Sequence, residues 1–167
     1  MIKKLIVALM MIIPMGLYAQ AKFGHFNSAA IIPMMPEYTT AQNEVQALQK
    51  QYADEIKRME DEFNKKLEEF EAQKATLPAN IAERRQAELQ ELYSRMQQYN
   101  QEGMQHVEKA SAEKMGAISE KLKNAIKEIG VAGGYVYIMD VAAGIPYISE
   151  TLSTDVTETV KSKLGIK

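Results

Sequence analysis

The feature that most constrains this fold is residues 39–129, about 90 residues with helical hydrophobic periodicity and no strand signal. Apolar residues recur at seven-residue spacing along the first half, in two offset series. These series are Val45, Tyr52 and Met59, and Ile56, Phe63, Phe70 and Leu77. The other faces are charged, with opposite charges four residues apart at Asp61 and Lys65. The pattern predicts a long coiled coil.

One interruption, Leu77-Pro78-Ala79-Asn80, divides this stretch in two. Proline disfavours the helical conformation in the residue before it and fits the first turn of a new helix. We therefore predict a turn at residues 77–80 between two antiparallel helices, the alternative being a kink in one continuous rod. The first helix is expected to begin near Thr40, because Thr39 and Gln42 form a capping-box pattern. The second is expected to run over Asn80–Ile129.

Two such helices bury their apolar residues against each other along one line of contact, the seam, and in one register. If Pro78 marks the turn, the numbers of facing residues add to roughly 156. Phe63 should then face Tyr93, and Tyr52 should face Met104. The residues predicted for this seam, or for contact with a binding partner, are Tyr52, Met59, Phe63, Phe70, Tyr93, Met96, Tyr99 and Met104.

Two glycines, Gly103 and Gly116, lie inside the predicted second helix. Glycine at such a position costs about 1 kcal/mol relative to alanine. They either let the helix bend or let the two helices approach closely. The sequence leaves both possibilities open.

Strand signals occur only on either side of the hairpin. Lys22–Asn27 and Tyr135–Asp140 are short runs of strand-forming type, and Ile145–Ile148 predicts a further strand. The predicted fold is mainly α with a small β part. It is a single domain, residues 21–167, with a body (21–38 and 130–167) and a projecting helical hairpin (39–129).

Glycines and capping residues give the remaining helix boundaries. Gly130 is expected to end the second helix. Asp155 and Glu158 form a capping-box pattern for a last helix, which should end at Gly165.

The predicted body is too small to be stable by itself. It has only about 55 residues, and domains of that size bury little apolar surface. We therefore expect the chain to oligomerise through the body. The residues expected to be buried there are Phe23, Phe26, Val136, Ile138 and Ile148.

The first 20 residues are typical of a secretory signal peptide. Lys3 and Lys4 precede an apolar run, Leu5–Leu17, and a small-residue pattern follows with cleavage expected near Ala19 or Ala21. A membrane anchor is the alternative, but the run has about 13 residues where a spanning helix needs about 20. The chain has no cysteine and so forms no disulfide. These features predict a periplasmic protein.

No catalytic, metal-binding or nucleotide-binding pattern is evident. His25 and His106 are far apart in sequence, and neither has a ligand partner at metal-binding spacing. The glycines of 130–134 precede a strand, whereas a phosphate-binding loop follows one. Removing the leader leaves 18 basic and 22 acidic side chains, a net charge of −4 that argues against nucleic acid as a partner. We predict a protein that is not an enzyme and has no cofactor.

In the order and lengths of its segments the chain resembles the Skp/OmpH family of periplasmic chaperones. The leader runs directly into Lys22–Asn27, a Gln/Glu/Lys-rich helix follows, and the return helix ends in Leu122-Lys123-Asn124-Ala125-Ile126. A strand ending in Asp140 and then Asp155-Val156-Thr157 close the chain. The resemblance covers essentially residues 21–167.

The resemblance implies a homotrimer in which three hairpins hang from a small body around a cavity. That cavity would hold unfolded outer-membrane proteins without ATP. Well-known members are strongly basic, whereas this chain is acidic, which disfavours binding of lipopolysaccharide or membrane. Arg84 and Arg85, beside the predicted turn, and Arg95 still leave local positive charge near the tip of the hairpin.

A different class of protein has a similar helical pattern. Periplasmic adaptors and scaffolds of efflux or secretion assemblies also carry coiled-coil hairpins. Those hairpins are flanked by larger β-domains, for which residues 21–38 and 130–167 are too short. The mass of the mature protein with and without an unfolded β-barrel protein discriminates between the two classes.

Overall fold

The computed structural model describes residues 21–166, so the predicted signal peptide lies outside the described residues. The strands are β1 (Lys22–Phe26), β2 (Tyr135–Asp140) and β3 (Ser153–Asp155). The α-helices are α1 (Ser28–Ile31), α2 (Pro36–Gln73), α3 (Ala79–Gly133) and α4 (Thr157–Lys163), with 3-10 turns at Ile32–Met34 and Val141–Ala143. The prediction of a mainly α fold with a long helical hairpin and a small β part is confirmed.

Helices α2 and α3 form the antiparallel hairpin, with 38 and 55 residues. At 1.5 Å per residue they are about 57 and 82 Å long. The rings of Phe63 and Tyr93 lie 6.0 Å apart, which confirms the predicted pair. The two helices stay in nearly the same register down to the base of the hairpin, where they are joined by the ion pairs Glu37–Lys121 and Glu44–Lys114. The chain reverses between Gln73 and Ala79, and the kinked-rod alternative is wrong.

The prediction that α2 begins near Thr40 is wrong, because the helix begins at Pro36. Met35 is extended, and Pro36 occupies the first helical turn. Backbone N–H groups in that turn have no acceptor within the helix, so proline, which lacks an N–H, loses no hydrogen bond there. The hydroxyl of Thr40 donates to the Pro36 carbonyl at 3.1 Å, within the helix. Pro36 thus starts the helix.

The second helix passes Gly130 and ends at Gly133, so the predicted end is wrong by one turn. Gly134 has a φ of 65° and donates its N–H to the carbonyls of Gly130 and Val131. Gly130 and Gly133 keep negative φ, and only Gly134 adopts the left-handed conformation that ends a helix.

The sheet has the order β2-β1-β3, and both outer strands run parallel to β1. The predicted strand at Ile145–Ile148 is wrong: this segment forms no ladder, and Ser153–Asp155 pairs with β1 instead. Pro146 lies within the predicted strand, and proline cannot donate to a ladder. Strand β3 is short and polar, so its sequence shows no strand-forming pattern.

The core lies between the sheet and the bases of the long helices. Its buried members are Phe26, Ile31, Met35, Ala41, Ile118, Leu122, Val156 and Val160. Ala41 belongs to α2, and Ile118 and Leu122 belong to α3, so the base of the hairpin is part of the body. We call the hairpin beyond Ala41 and Ile118 the arm.

A hydrogen-bond cluster joins β3 and α4 to the start of α1. Asp155 Oδ1 accepts from the backbone N–H and the hydroxyl of Thr157, at 2.8 and 2.6 Å, and Thr157 Oγ1 accepts from the Asn27 N–H. Partial burial acts to raise the pKa of Asp155, but these hydrogen bonds outweigh it and lower the pKa below its usual value. Helix α4 ends before Gly165, as predicted, with a φ of 73° there.

Candidate functional site

The arm carries an open groove of about 780 Å³ between α2 and α3. Its apolar wall includes Val45, Tyr52, Ile56, Met104 and Val107. Met104 is 61% exposed, although it is one of the larger apolar residues of the arm. The groove is therefore a solvent-accessible apolar surface in a part of the molecule that is otherwise highly charged.

Tyr52 forms one wall of the groove and crosses the gap between the helices. Its ring packs on Gly103, where a Cβ atom would lie 2.7 Å from Tyr52 Cδ1. Tyr52 Oη is 2.6 Å from His106 Nδ1, and its ring centroid is 5.3 Å from that of Tyr99. Partial desolvation, together with the nearby Glu55 carboxylate, raises the pKa of Tyr99. Gly103 thus serves close approach of the helices.

Gly103 and Gly116, both inside α3, should respond oppositely to substitution by alanine. A Cβ at Gly116 would meet no atom within 4 Å, so Gly116→Ala should raise the free energy of unfolding by about 0.5–1 kcal/mol through helix propensity. Gly103→Ala must displace the root of the Tyr52 ring, so it should instead lower stability by about 1 kcal/mol or more. Denaturant titration of both variants tests this. Equal midpoints for the two would contradict the packing described for Gly103.

The charged side chains at the rim of the groove are mainly acidic. Glu60, Asp61 and Glu108 line it, with Lys57 as the cation among the lining residues. Within residues 21–166 none of these four side chains forms an ion pair. The rim therefore presents unneutralised negative charge beside the apolar wall.

The predicted arm residues divide into two groups. Met59 and Phe70 are buried in the seam, and Tyr52, Phe63, Met96 and Tyr99 are half-buried there. Tyr93 and Met104 are exposed. Tyr52 meets Gly103, one position from the predicted Met104, and both Tyr52 and Met104 line the groove.

The predicted body residues lie on different surfaces of the sheet. Phe26 is buried in the chain's own core, and Ile138 packs against that core. Phe23 is half-buried on the opposite side, where its ring stacks on Tyr137 with centroids 4.7 Å apart. Ile148 is half-buried and Val136 is 64% exposed.

The side of the sheet opposite the core is a second apolar surface, which we call the outer sheet face. A cleft of about 290 Å³ lies there, lined by Phe23, Gly24, Tyr137, Met139, Ile145, Tyr147, Ile148, Ser149, Leu152 and Ser153. Tyr137 is 48% exposed and Tyr147 is 78% exposed. Four residues of this face were not among the predicted body residues: Tyr137, Met139, Tyr147 and Leu152. Strand alternation from Phe23 and Tyr137 could have identified the first two.

Neither histidine lies in a metal-binding group. His25 Nδ1 is 2.9 Å from Ser153 Oγ on the sheet, and His106 contacts Tyr52 on the arm. Residues 21–166 contain no cluster of three or more histidine or carboxylate side chains that could hold a metal ion. None of the helices in that range is both long and apolar enough to cross a membrane.

Comparison with known proteins identifies the family. The sequence profile named "Outer membrane protein (OmpH-like)" matches residues 22–164, nearly the whole described chain. The chain belongs to the OmpH-like family. A solved structure from Caulobacter crescentus, named as an OmpH-like outer membrane chaperone, superposes with a TM-score of 0.74 over 87% of this chain and 85% of that one, at 17% identity. That likeness shows a shared fold. A search of curated proteins found no match to this OmpH-like sequence.

Proposed function

We propose that this OmpH-like protein is an exported, ATP-independent holding chaperone that binds unfolded outer-membrane proteins in the periplasm and prevents their aggregation. The observation that carries the proposal is the open apolar groove on a long, charged arm. Family membership and the name of the Caulobacter crescentus structure support the same role.

The physical chemistry of the proposed clients fits such an arm. Unfolded barrel strands alternate apolar and polar residues and expose unpaired backbone edges, so they aggregate in water. Many weak contacts with a long accessible surface shield them without a fixed binding cavity. The charges around the groove keep its apolar area small enough to limit self-association of the chaperone.

We further propose that three copies assemble through the outer sheet face, which places three arms around one cavity. The exposed apolar side chains of that face, among them Tyr137, Met139 and Tyr147, favour burial in an interface. Strand β2 is also at the edge of the sheet, where its free backbone groups can pair with another copy.

Tyr137→Asp should dissociate the assembly while each chain stays folded. Tyr137 points away from the core and is half exposed, so a charge there destabilises an interface far more than it destabilises the fold of the single chain. Sedimentation should show monomers at micromolar concentration with an unchanged helical circular dichroism signal. Tyr93→Asp, the same change at an exposed tyrosine of the arm, should leave the mass unaltered. An unchanged mass for Tyr137→Asp would exclude this face as the interface.

The experiment that tests the proposed function is the mass of the mature protein, with and without a urea-diluted β-barrel protein. The expected result is a trimer that gains the mass of one client. A folded monomer that acquires no client would contradict the proposal and favour the adaptor or scaffold class.

A further inference from the structure

The length of the groove fits one extended segment. It runs along α2 from Val45 to Asn64, which is about 28 Å at 1.5 Å per residue. An extended chain advances about 3.3 Å per residue, so about eight residues span this length. A membrane-spanning β-strand has about 9–11 residues. The groove is thus nearly as long as one strand of the proposed clients.

The lining of the groove favours an amphipathic segment. Apolar side chains, among them Val45, Tyr52 and Met104, lie beside charged side chains in the same groove. The groove is apolar on its floor and open on its other side. A segment with apolar residues at alternate positions presents one apolar face and one polar face, which matches this arrangement.

The charge of the rim selects among such segments. The charged residues that line the groove are three acids, Glu60, Asp61 and Glu108, and one cation, Lys57, a local net charge of −2. Polar side chains of a bound strand stand beside this rim. Lysine or arginine there gains an opposite charge, and glutamate or aspartate meets like charge.

We propose that the groove binds a single extended client segment of about eight residues with alternating apolar side chains and basic residues between them. The proposal rests on the proposed holding function and assigns it a site. It gives the arm a preference that depends on the client sequence.

Fluorescence anisotropy of labelled ten-residue peptides with the full mature protein tests the site. One peptide alternates leucine with lysine, a second alternates leucine with glutamate, and a third has the residues of the first in a helical order. The lysine peptide should bind at least about tenfold more tightly than the other two, a difference of about 1.4 kcal/mol. Equal binding of the three, or no binding, overturns the proposal.

Matched variants locate the binding. Met104→Lys should weaken binding of the lysine peptide at least about tenfold, and Gln101→Lys, an equal charge change off the groove, should change it less than about twofold. Asp61→Asn with Glu108→Gln should remove the preference for lysine over glutamate. Unchanged binding in Met104→Lys overturns the assignment.

Suppression of aggregation of a β-barrel protein, measured in parallel on the wild type, separates the two proposals. If suppression persists while the groove variants bind peptide normally, the groove assignment is wrong and the holding function stands. If the wild type fails to suppress aggregation, the holding function itself is wrong, and with it the assignment of client binding to the groove.

Discussion

Ile31→Asp should unfold the body. Ile31 is 0% exposed and packs in the same cluster as Phe26, Met35 and Leu122. An unpaired charge there costs about 3–5 kcal/mol, in addition to the lost apolar contacts. Domains are stable by about 5–15 kcal/mol in total, so the substitution removes a large part of the stability. Because Leu122 belongs to α3, the base of the arm should lose its packing as well.

Thermal unfolding followed by circular dichroism measures this effect. Ala29→Asp provides the control, because it introduces the same carboxylate at an exposed position of the same short helix. Its midpoint should stay close to that of the wild type. Equal midpoints for Ile31→Asp and Ala29→Asp would show that the core described for the body is wrong.

Removing the arm should abolish client binding without unfolding the body. Replacing residues 49–108 by a short glycine-rich turn retains Ala41, Ile118 and Leu122, so the core of the body remains complete. The groove and most of the seam are lost. Binding of an unfolded barrel protein should weaken at least about tenfold, which is 1.4 kcal/mol, and co-elution with the client should disappear.

A smaller deletion controls for arm length. Removing one heptad from each helix, residues 66–72 and 84–90, preserves the register and leaves the groove in place. This variant should still co-elute with the client. Full client binding by the protein without residues 49–108 would place the binding surface on the body.

The hairpin was predictable because its information is local and repeated. Apolar residues at seven-residue spacing define the seam, and Pro78 sets the turn that pairs Phe63 with Tyr93. Each additional heptad confirms the same register. The ending at Gly165 and the strand Tyr135–Asp140 follow from equally local signals.

The predictions were wrong where tertiary contacts, and not the local sequence, determine the structure. Strand β3 consists of three polar residues held by pairing with β1, so no pattern within Ser153–Asp155 predicts it. The groove depends on Gly103 accepting the ring of Tyr52 from the other helix. Its sequence signal, a glycine inside a helix, left close approach and bending equally open. The outer sheet face was missed because β2 carries apolar side chains on both faces. Strand alternation groups Tyr137 with Met139 but does not show that their face lies away from the core.

Light scattering of a urea-diluted outer-membrane barrel protein tests the central claim most directly. The mature wild-type protein is added in slight molar excess as trimer, with no nucleotide present. Scattering should stay near the level of a sample without aggregation, and the variant lacking residues 49–108 should give no protection. Scattering that rises as in the absence of the protein, or equal protection by the shortened variant, would contradict the claim that the arms hold unfolded clients.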